Sequence, residues 1–313
     1  MTSRDEGARS GPAQEHRLPS GARVQVWDAA GPPRAMVQLQ HGFAEYAGRF
    51  VHQHHELIGH LARRGFEVWA MDLHGHGRSP GRRGLADIRQ AVRDHRALRH
   101  IMRARSTLPV LLIGHSLGGL VTAGSALADP TGVGGVVLLA PSLPPALPRP
   151  ARAAMDLCAR LLPAVPAPLK KAPPADLTRL PEQVRITALD PLVHNGRVPL
   201  KLAATALHVA ADVWERAPQH WRTPCLVVHG TADTSTDPGQ SRRLTGLLPV
   251  ADKTLHLIAG GRHELLHDLD GDDVLTRVLS WLDTHTTARP PEATPPAGHA
   301  PRQDTSPAES PAH

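Results

Sequence analysis

Apolar positions along the chain fall into short unbroken runs separated by longer amphipathic stretches. Residues 22–27 alternate, with Val24 and Val26 on one side, as an edge strand does. The runs at 35–40, 66–71, 110–113, 133–139, 224–228 and 254–258 are too short for helices and read as strands; 110–113 is unbroken by polar residues and reads as buried on both faces of a parallel sheet, and 133–139 as another buried strand. Helical patterns predict helices over 48–64, 85–105, 119–128, 237–248 and 272–283, the last turning Val274, Leu275, Val278 and Leu282 inward. In the 85–105 segment, Ile88, Val92, Leu98, Ile101 and Met102 form an apolar face, which places Arg89, Arg93, Arg96, Arg99 and Arg103 largely outside. Strands alternating with helices of ten or more residues imply an α/β fold with a mostly parallel, doubly wound sheet.

The alternation stops between residues 144 and 222. Prolines crowd 144–181, no strand-like run appears, and two helical patterns stand out. One, over 151–162, puts Met155, Cys158 and Leu162 together; the other, over 200–214, groups Ala203, Leu207, Ala210 and Trp214. So few large apolar residues could not build a separate core, and the stretch reads as a helical cap inserted between two core strands. The expected organisation is a disordered N-terminus (1–14), a core (15–143 and 223–286), the cap (144–222) and a Pro-rich disordered tail (287–313).

Composition adds limits. The 313 residues carry a net charge of +6, and aromatics are only 3% of them, so the core must be aliphatic. The positive charge is scattered Arg with no stacking aromatics or binding motif, which argues against a nucleic-acid partner. Cys158 and Cys225 show no CxxC spacing and are expected to be reduced, mostly buried thiols of a cytoplasmic protein. The first residues lack an apolar signal region, and no apolar run is long enough to span a membrane.

The chemistry concentrates at Gly114-His115-Ser116-Leu117-Gly118, which joins a buried strand to a small-residue helix. Strand, sharp turn and helix are the setting of a nucleophile elbow, and Ser116 is the candidate nucleophile. In such a sheet the acid and then the histidine follow the serine on loops at strand C-terminal ends. Asp237 before Pro238 is explained as a helix N-cap, whereas Asp233 lacks such a role and is the candidate acid. His263, after a Gly-Gly-Arg turn, is the candidate base, with His267 as its competitor. The oxyanion donors expected are the backbone N–H groups of Leu117 and Phe43. His52, His54 and His55 are expected to be surface polar residues. Asp72, His74 and His76 are explained by turn geometry, so no metal site is expected. Glu45 and Arg49 form an i,i+4 pair holding the loop.

Five ordered motifs carry a resemblance across residues 21–285: HGFAEY at 41–46 with Arg49, DLHGHGRS at 72–79, GHSLGG at 114–119, HGTAD at 229–233, and His263-Glu264. Asp190-Pro191-Leu192 adds to it. Together they resemble the monoacylglycerol lipase family of α/β-hydrolases. That resemblance implies an α/β-hydrolase fold with a lid between the sixth and seventh core strands, no cofactor, and hydrolysis of one acyl ester of a monoacylglycerol or lysophospholipid. Phe43 departs from the pattern, which often has a small residue there. Alternatives on the same triad are a short-chain carboxylesterase or an acyltransferase; from another class, a non-catalytic ligand-binding α/β-hydrolase. Met155, Leu162, Leu200, Leu207 and Trp214 are the candidate acyl groove. The expected partner is a small acyl ester or monoacyl lipid. The cap arginines add attraction to anionic interfaces, so a transient membrane-surface contact and a cytoplasmic location peripheral to the membrane are the accompanying expectations. Oligomeric state is left open.

Overall fold

In the computed structural model, which describes residues 11–169 and 172–286, the apolar runs pair into one eight-stranded sheet. Its strands are β1 (Gln14–Arg17), β2 (Arg23–Trp27), β3 (Ala35–Gln40), β4 (Phe66–Met71), β5 (Val110–His115), β6 (Val133–Leu139), β7 (Cys225–Gly230) and β8 (Lys253–Ile258). They lie in the order β1-β2-β4-β3-β5-β6-β7-β8. The β1–β2 and β2–β4 pairings are antiparallel and all others parallel.

The helices are α1 (Arg49–His52), α2 (Leu57–Arg63), α3 (Ile88–Arg105), α4 (Leu117–Ala128), α5 (Arg149–Leu161), α6 (Pro174–Leu177), α7 (Pro181–Leu189), α8 (Leu200–His220), α9 (Pro238–Leu247) and α10 (Gly271–His285). Two apolar clusters sandwich the sheet. Residues of α3, α4, α8 and α9 cover one face and residues of α1, α2 and α10 the other. Side chains alternate along a strand, so β3 sends Met36 to the first cluster and Val37 and Leu39 to the second.

The differences from the expected elements have local causes. β1 was not expected because Gln-Glu-His-Arg has no apolar period. It begins at Gln14, inside the stretch expected to be disordered, and Ala13 already donates to the Val26 carbonyl. Residues 1–10 and the Pro-rich tail 287–313 lie outside the described residues. The single helix expected over 48–64 is broken by His54, His55 and Glu56, all with left-handed φ (47°, 53° and 48°). Cys158 is exposed, not buried; Cys225 is buried as expected.

Arg99, expected on the outer face of α3, is fully buried, while Ile101 is 39% exposed. Helix α4 packs beside α3 and offers acceptors there. Arg99 Nη1 donates to Ser125 Oγ (2.8 Å) and Nη2 to the Asp129 carbonyl (2.5 Å). Burial pulls its pKa down to about 10 against the attraction of Asp129.

Between β6 and β7 the described residues form helices α5–α8, with one isolated bridge, Pro166 to Pro199, and no strand. The insertion is not uniform. Helix α8 runs through Pro218 and buries Leu202, Ala206, Val209, Ala210, Val213, Trp214 and Ala217 in the core cluster, whereas α5 buries only Ala159.

Arg99→Ala leaves the Ser125 hydroxyl and the Asp129 carbonyl short of a buried donor, which costs about 2–4 kcal/mol. The urea midpoint should fall accordingly, and loss of less than about 0.5 kcal/mol would contradict this account of α3.

Candidate active site

Chain direction puts the ends of β3, β5, β7 and β8 at one edge of the sheet, and the candidate residues sit on the loops leaving that edge. Ser116 lies between β5 and α4 with φ 52° and ψ −119°, a strained conformation for a residue with a side chain. Close backbone approach makes it sustainable. A Cβ on Gly42 would lie 3.0 Å from Ser116 Cβ, and one on Gly118 would strike the carbonyls of Gln40 and His41. The loop after β3 therefore rests directly on the elbow.

His263 follows β8 and Asp233 follows β7. The Ser116 hydroxyl donates to His263 Nε2 (2.9 Å), and His263 Nδ1–H donates to Asp233 Oδ2 (2.7 Å). All three are buried: Ser116 is 9% exposed, His263 5% and Asp233 8%. Asp233 Oδ1 accepts the amides of Ser235 (2.7 Å) and Thr236 (2.9 Å). Its Oδ2 also accepts the Thr236 hydroxyl (2.8 Å) and His229 Nε2–H (3.1 Å). Burial opposes ionisation, but the hydrogen bonds from His229 and His263 and the His263 charge outweigh it, and the Asp233 pKa lies far below its ordinary value. An ionised Asp233 keeps the proton on Nδ1, leaving the Nε2 lone pair for the serine. His229 and Thr236 were not singled out from the sequence; a histidine one turn before the acid in HGTAD was the available signal.

The alternatives lie elsewhere. Asp237 caps α9 by accepting the Gly239 amide (2.7 Å). His267 faces away from Ser116: its Nδ1–H donates to Glu264 Oε2 (2.8 Å), and Nε2 accepts the His54 amide.

His54 corrects its expected place on the surface, since it is 1% exposed. It stacks between Phe50 (3.9 Å) and His267 (4.0 Å). Its Nε2–H donates to Glu45 Oε2 (2.7 Å), and that bond turns the chain inward at the break between α1 and α2. Glu45 accepts three further donors. Oε1 takes the Gly42 amide and His115 Nδ1–H, both at 2.7 Å, and Oε2 takes Arg49 Nη1–H at 3.2 Å. Arg49 also lies 3.5 Å from Glu264. Despite burial, the nearby His54 and His115 hold Glu45 well below the usual carboxylate range, and burial lowers His115 less than Glu45 raises it.

Ligand atoms of Glu45, His54 and His115 all lie within 4.8 Å of one another. The two imidazoles spend those atoms on donating to the carboxylate, and the Arg49 guanidinium sits beside it, so the donor set suits an ion-pair network and not a cation.

Phe43 follows Gly42 on the loop against the elbow, and Leu117 opens α4. The five candidate groove residues do not form one surface. Leu162 is 55% exposed, whereas Trp214 is 7% exposed, with Nε1–H on the Pro144 carbonyl (2.8 Å) and the Arg243 guanidinium 4.6 Å over its ring. The stripe containing Ala210 and Trp214 is the core-facing stripe of α8. Met155, Leu200 and Leu207 are half-buried.

A family pattern described as serine aminopeptidase, S33, matches residues 31–270. The chain is 32% identical over 275 residues to a monoacylglycerol lipase of Mycolicibacterium smegmatis, covering 85% of this chain and 94% of that protein. It is 31% identical over 279 residues to human monoglyceride lipase, covering 85% and 89%. The crystal structure of the Paleococcus ferrophilus monoacylglycerol lipase superposes with a TM-score of 0.74 at 32% identity, covering 84% of this chain and 99% of that one. The sheet order and flanking helices are those of the α/β-hydrolase fold.

Burial holds His54, His76, His95 and His267 below the ordinary histidine value, His54 and His76 at about 3. Unfolding lets each take up a proton near pH 6.5. Their contribution is therefore complete above about pH 6.5 and is lost as pH falls, by about 1.4 kcal/mol per group per pH unit. His115, raised, contributes in the opposite sense and loses its share as pH rises through its folded value. His60 and His256, more exposed, are shifted down in the same sense, so His115 alone opposes a net loss on the acid side. Urea midpoints should fall clearly from pH 7 to pH 5, and the slope should flatten in His76→Gln; a flat profile would contradict the assignment.

Proposed function

The chain belongs to the serine aminopeptidase S33 family whose pattern it matches, and from that premise we propose that Ser116, His263 and Asp233 are its catalytic triad. The protein is a carboxylic ester hydrolase. The observation that carries the proposal is the unbroken chain of hydrogen bonds from the elbow serine through His263 to an ionised Asp233.

Ser116 Oγ attacks the ester carbonyl while Nε2 of His263 takes its proton. The imidazolium is stabilised by Asp233, and the N–H groups of Phe43 and Leu117 hold the developing oxyanion. The ester C–O bond breaks, His263 gives its proton to the departing alcohol, and the acyl group stays on Oγ. Water, deprotonated by the same nitrogen, then releases the acid.

The preferred substrate is a monoacylglycerol or a similar single-chain ester, the class named by the lipases this chain resembles. Exposed apolar side chains on the insertion, Leu157, Leu161, Leu162 and Leu189, support its role as a cap that meets a lipid surface transiently. Among the described residues no helix is long and apolar enough to cross a membrane. Two free cysteines, one of them exposed, support the reading of a cytoplasmic protein peripheral to the membrane.

A fluorophosphonate probe should label Ser116 and fail to label Ser116→Ala. Asp233→Asn should lower kcat by about 10³–10⁴-fold with the fold intact, because a neutral amide leaves His263 in the wrong tautomer. Asp237→Asn should stay within about twofold, since Asn caps a helix nearly as well as Asp; the reverse pattern would overturn the assignment of the acid. Across a chain-length series of monoacylglycerols, rates should rise toward medium and long chains, each buried methylene adding up to about 0.8 kcal/mol. A maximum at acetate or butyrate would replace the lipase reading with a short-chain esterase.

A further inference from the structure

We propose that Tyr46 and His194 are positioning residues that couple the seating of the β6–β7 insertion to the orientation of the Phe43 peptide. The inference rests on the reading above, in which the Phe43 amide is an oxyanion donor.

The Phe43 peptide is held from both sides. Before it, the Gly42 amide is fixed on Glu45 Oε1 (2.7 Å), a contact made within the core. After it, Ala44 adopts φ 72°, a left-handed conformation disfavoured for any residue with a Cβ. The donor to the Ala44 carbonyl is the backbone N–H of His194 (2.8 Å), which belongs to the insertion. Such a conformation persists only where its surroundings over-determine it, and here half of those surroundings come from a different part of the chain.

His194 is itself placed with little freedom. Its imidazole meets the Phe43 ring edge-on at 5.7 Å, while His76 meets the same ring at 5.6 Å from elsewhere in the core. Gly84 and Gly196 lie so close to the imidazole that a Cβ at either position would collide with it. The segment is tied down a second time next to the loop: Tyr46 Oη–H donates to Asp190 Oδ2 (2.8 Å), and Asp190 Oδ1 accepts the Leu192 amide (2.8 Å). Arg49 Nη2–H reaches Thr187 Oγ1 (3.0 Å) on the same stretch.

Residues 187–194 therefore act as the outer half of a clamp whose inner half is Glu45. With the segment seated, Ala44 is held left-handed and the Phe43 N–H keeps its direction. With the segment lifted, Ala44 relaxes, the Phe43–Ala44 peptide turns, and the Phe43 backbone that aims the N–H of the Gly42–Phe43 peptide is no longer held from that side. Transition-state stabilisation is thus available only while this part of the insertion is down, which ties turnover to its closure.

The test uses the full chain with Tyr46→Phe, which removes only a hydroxyl, and His194→Pro, which removes the N–H donor together with the imidazole and is read against His194→Ala, which removes the imidazole and keeps the N–H; if the proline variant does not fold, Tyr46→Phe carries the test. Steady-state hydrolysis of a nitrophenyl ester and amide hydrogen exchange of residues 42–46 are measured on each. The expected result is a kcat lower by about tenfold or more with KM within about twofold, together with faster exchange in the segment. Adding Ala44→Gly, which accepts the left-handed backbone without a Cβ, should restore part of the lost kcat; a purely structural role would give no such rescue. A raised KM with unchanged kcat would make the segment a simple binding wall, and unchanged exchange would show no coupling; either result overturns the proposal. If the wild type neither turns over ester nor labels at Ser116, the catalytic reading fails, while exchange still reports separately whether the clamp exists.

Discussion

One buried carboxylate decides how the parts of the site meet. Glu45 is 3% exposed and accepts four donors from four places: the Gly42 amide, Arg49 on α1, His54 at the break between helices, and His115 at the end of β5. Burying a charge is costly unless partners replace its water, and here both oxygens are fully engaged. Glu45 and Glu264 are held ionised beside the cationic Arg49, burial keeps His54 and His267 below the ordinary histidine value, and the Glu45 carboxylate draws His115 above it against the effect of burial. Removing any one donor would strand charge in a dry interior, so the loop after β3, the elbow and the helix break are fixed relative to one another as a unit.

That rigidity is what the elbow requires. Ser116 holds an unfavourable backbone conformation, and it can do so because Gly42 lets the loop after β3 press against it. On the far side Asp233 is loaded with donors from Ser235, Thr236, His229 and His263. Each of these restrains the carboxylate plane, and through it the imidazole ring, so that Nε2 faces the serine in the ground state. Orientation is set before substrate arrives, which removes an entropic cost from the reaction step.

The sheet was legible because its central strands β5 and β6 are unbroken apolar runs spaced by helical patterns, and the elbow because it sits at a change of hydrophobic period. Asp237 was separable from Asp233 by the proline that follows it. What escaped were features set by distant partners. Arg99 has the spacing of a surface residue on α3, and only the acceptors offered by α4 draw it in. His54 looks like one of three polar residues on a helix until Glu45, nine residues earlier, and His267, more than two hundred later, supply its pocket. β1 carries no apolar period and exists through pairing with β2. The 144–222 stretch was read as one cap because it shows no strand-like run and too few large apolar residues for a core of its own. Which stripe of α8 faces the core depends on the small residues of α4, where Val209 packs against Gly124, and that contact has no local signature.

The insertion then divides by what holds each piece. The segment 187–194 is tied to the loop after β3. Residues 177–179 are tied to the loop that carries His263: the Leu177 carbonyl accepts the Glu264 amide (2.8 Å), the Thr178 carbonyl accepts Arg262 (3.0 Å), and Arg179 pairs with Asp268 (2.9 Å). Helix α8 is part of the core. The loop after β3 and the loop that carries His263 are therefore both braced by the insertion, and a wholesale opening would disturb the two together. Helix α5 is different. It buries only Ala159 and exposes Leu157 and Leu161; it packs along α8, where Asp156 pairs with His208 (2.6 Å), and the turn that follows it is bonded to the start of α8 through the Pro163 and Val165 carbonyls. Of the four helices described in the insertion, α5 is the one that neither joins the core cluster nor carries a contact to either loop, so a change in its packing on α8 leaves both braces standing.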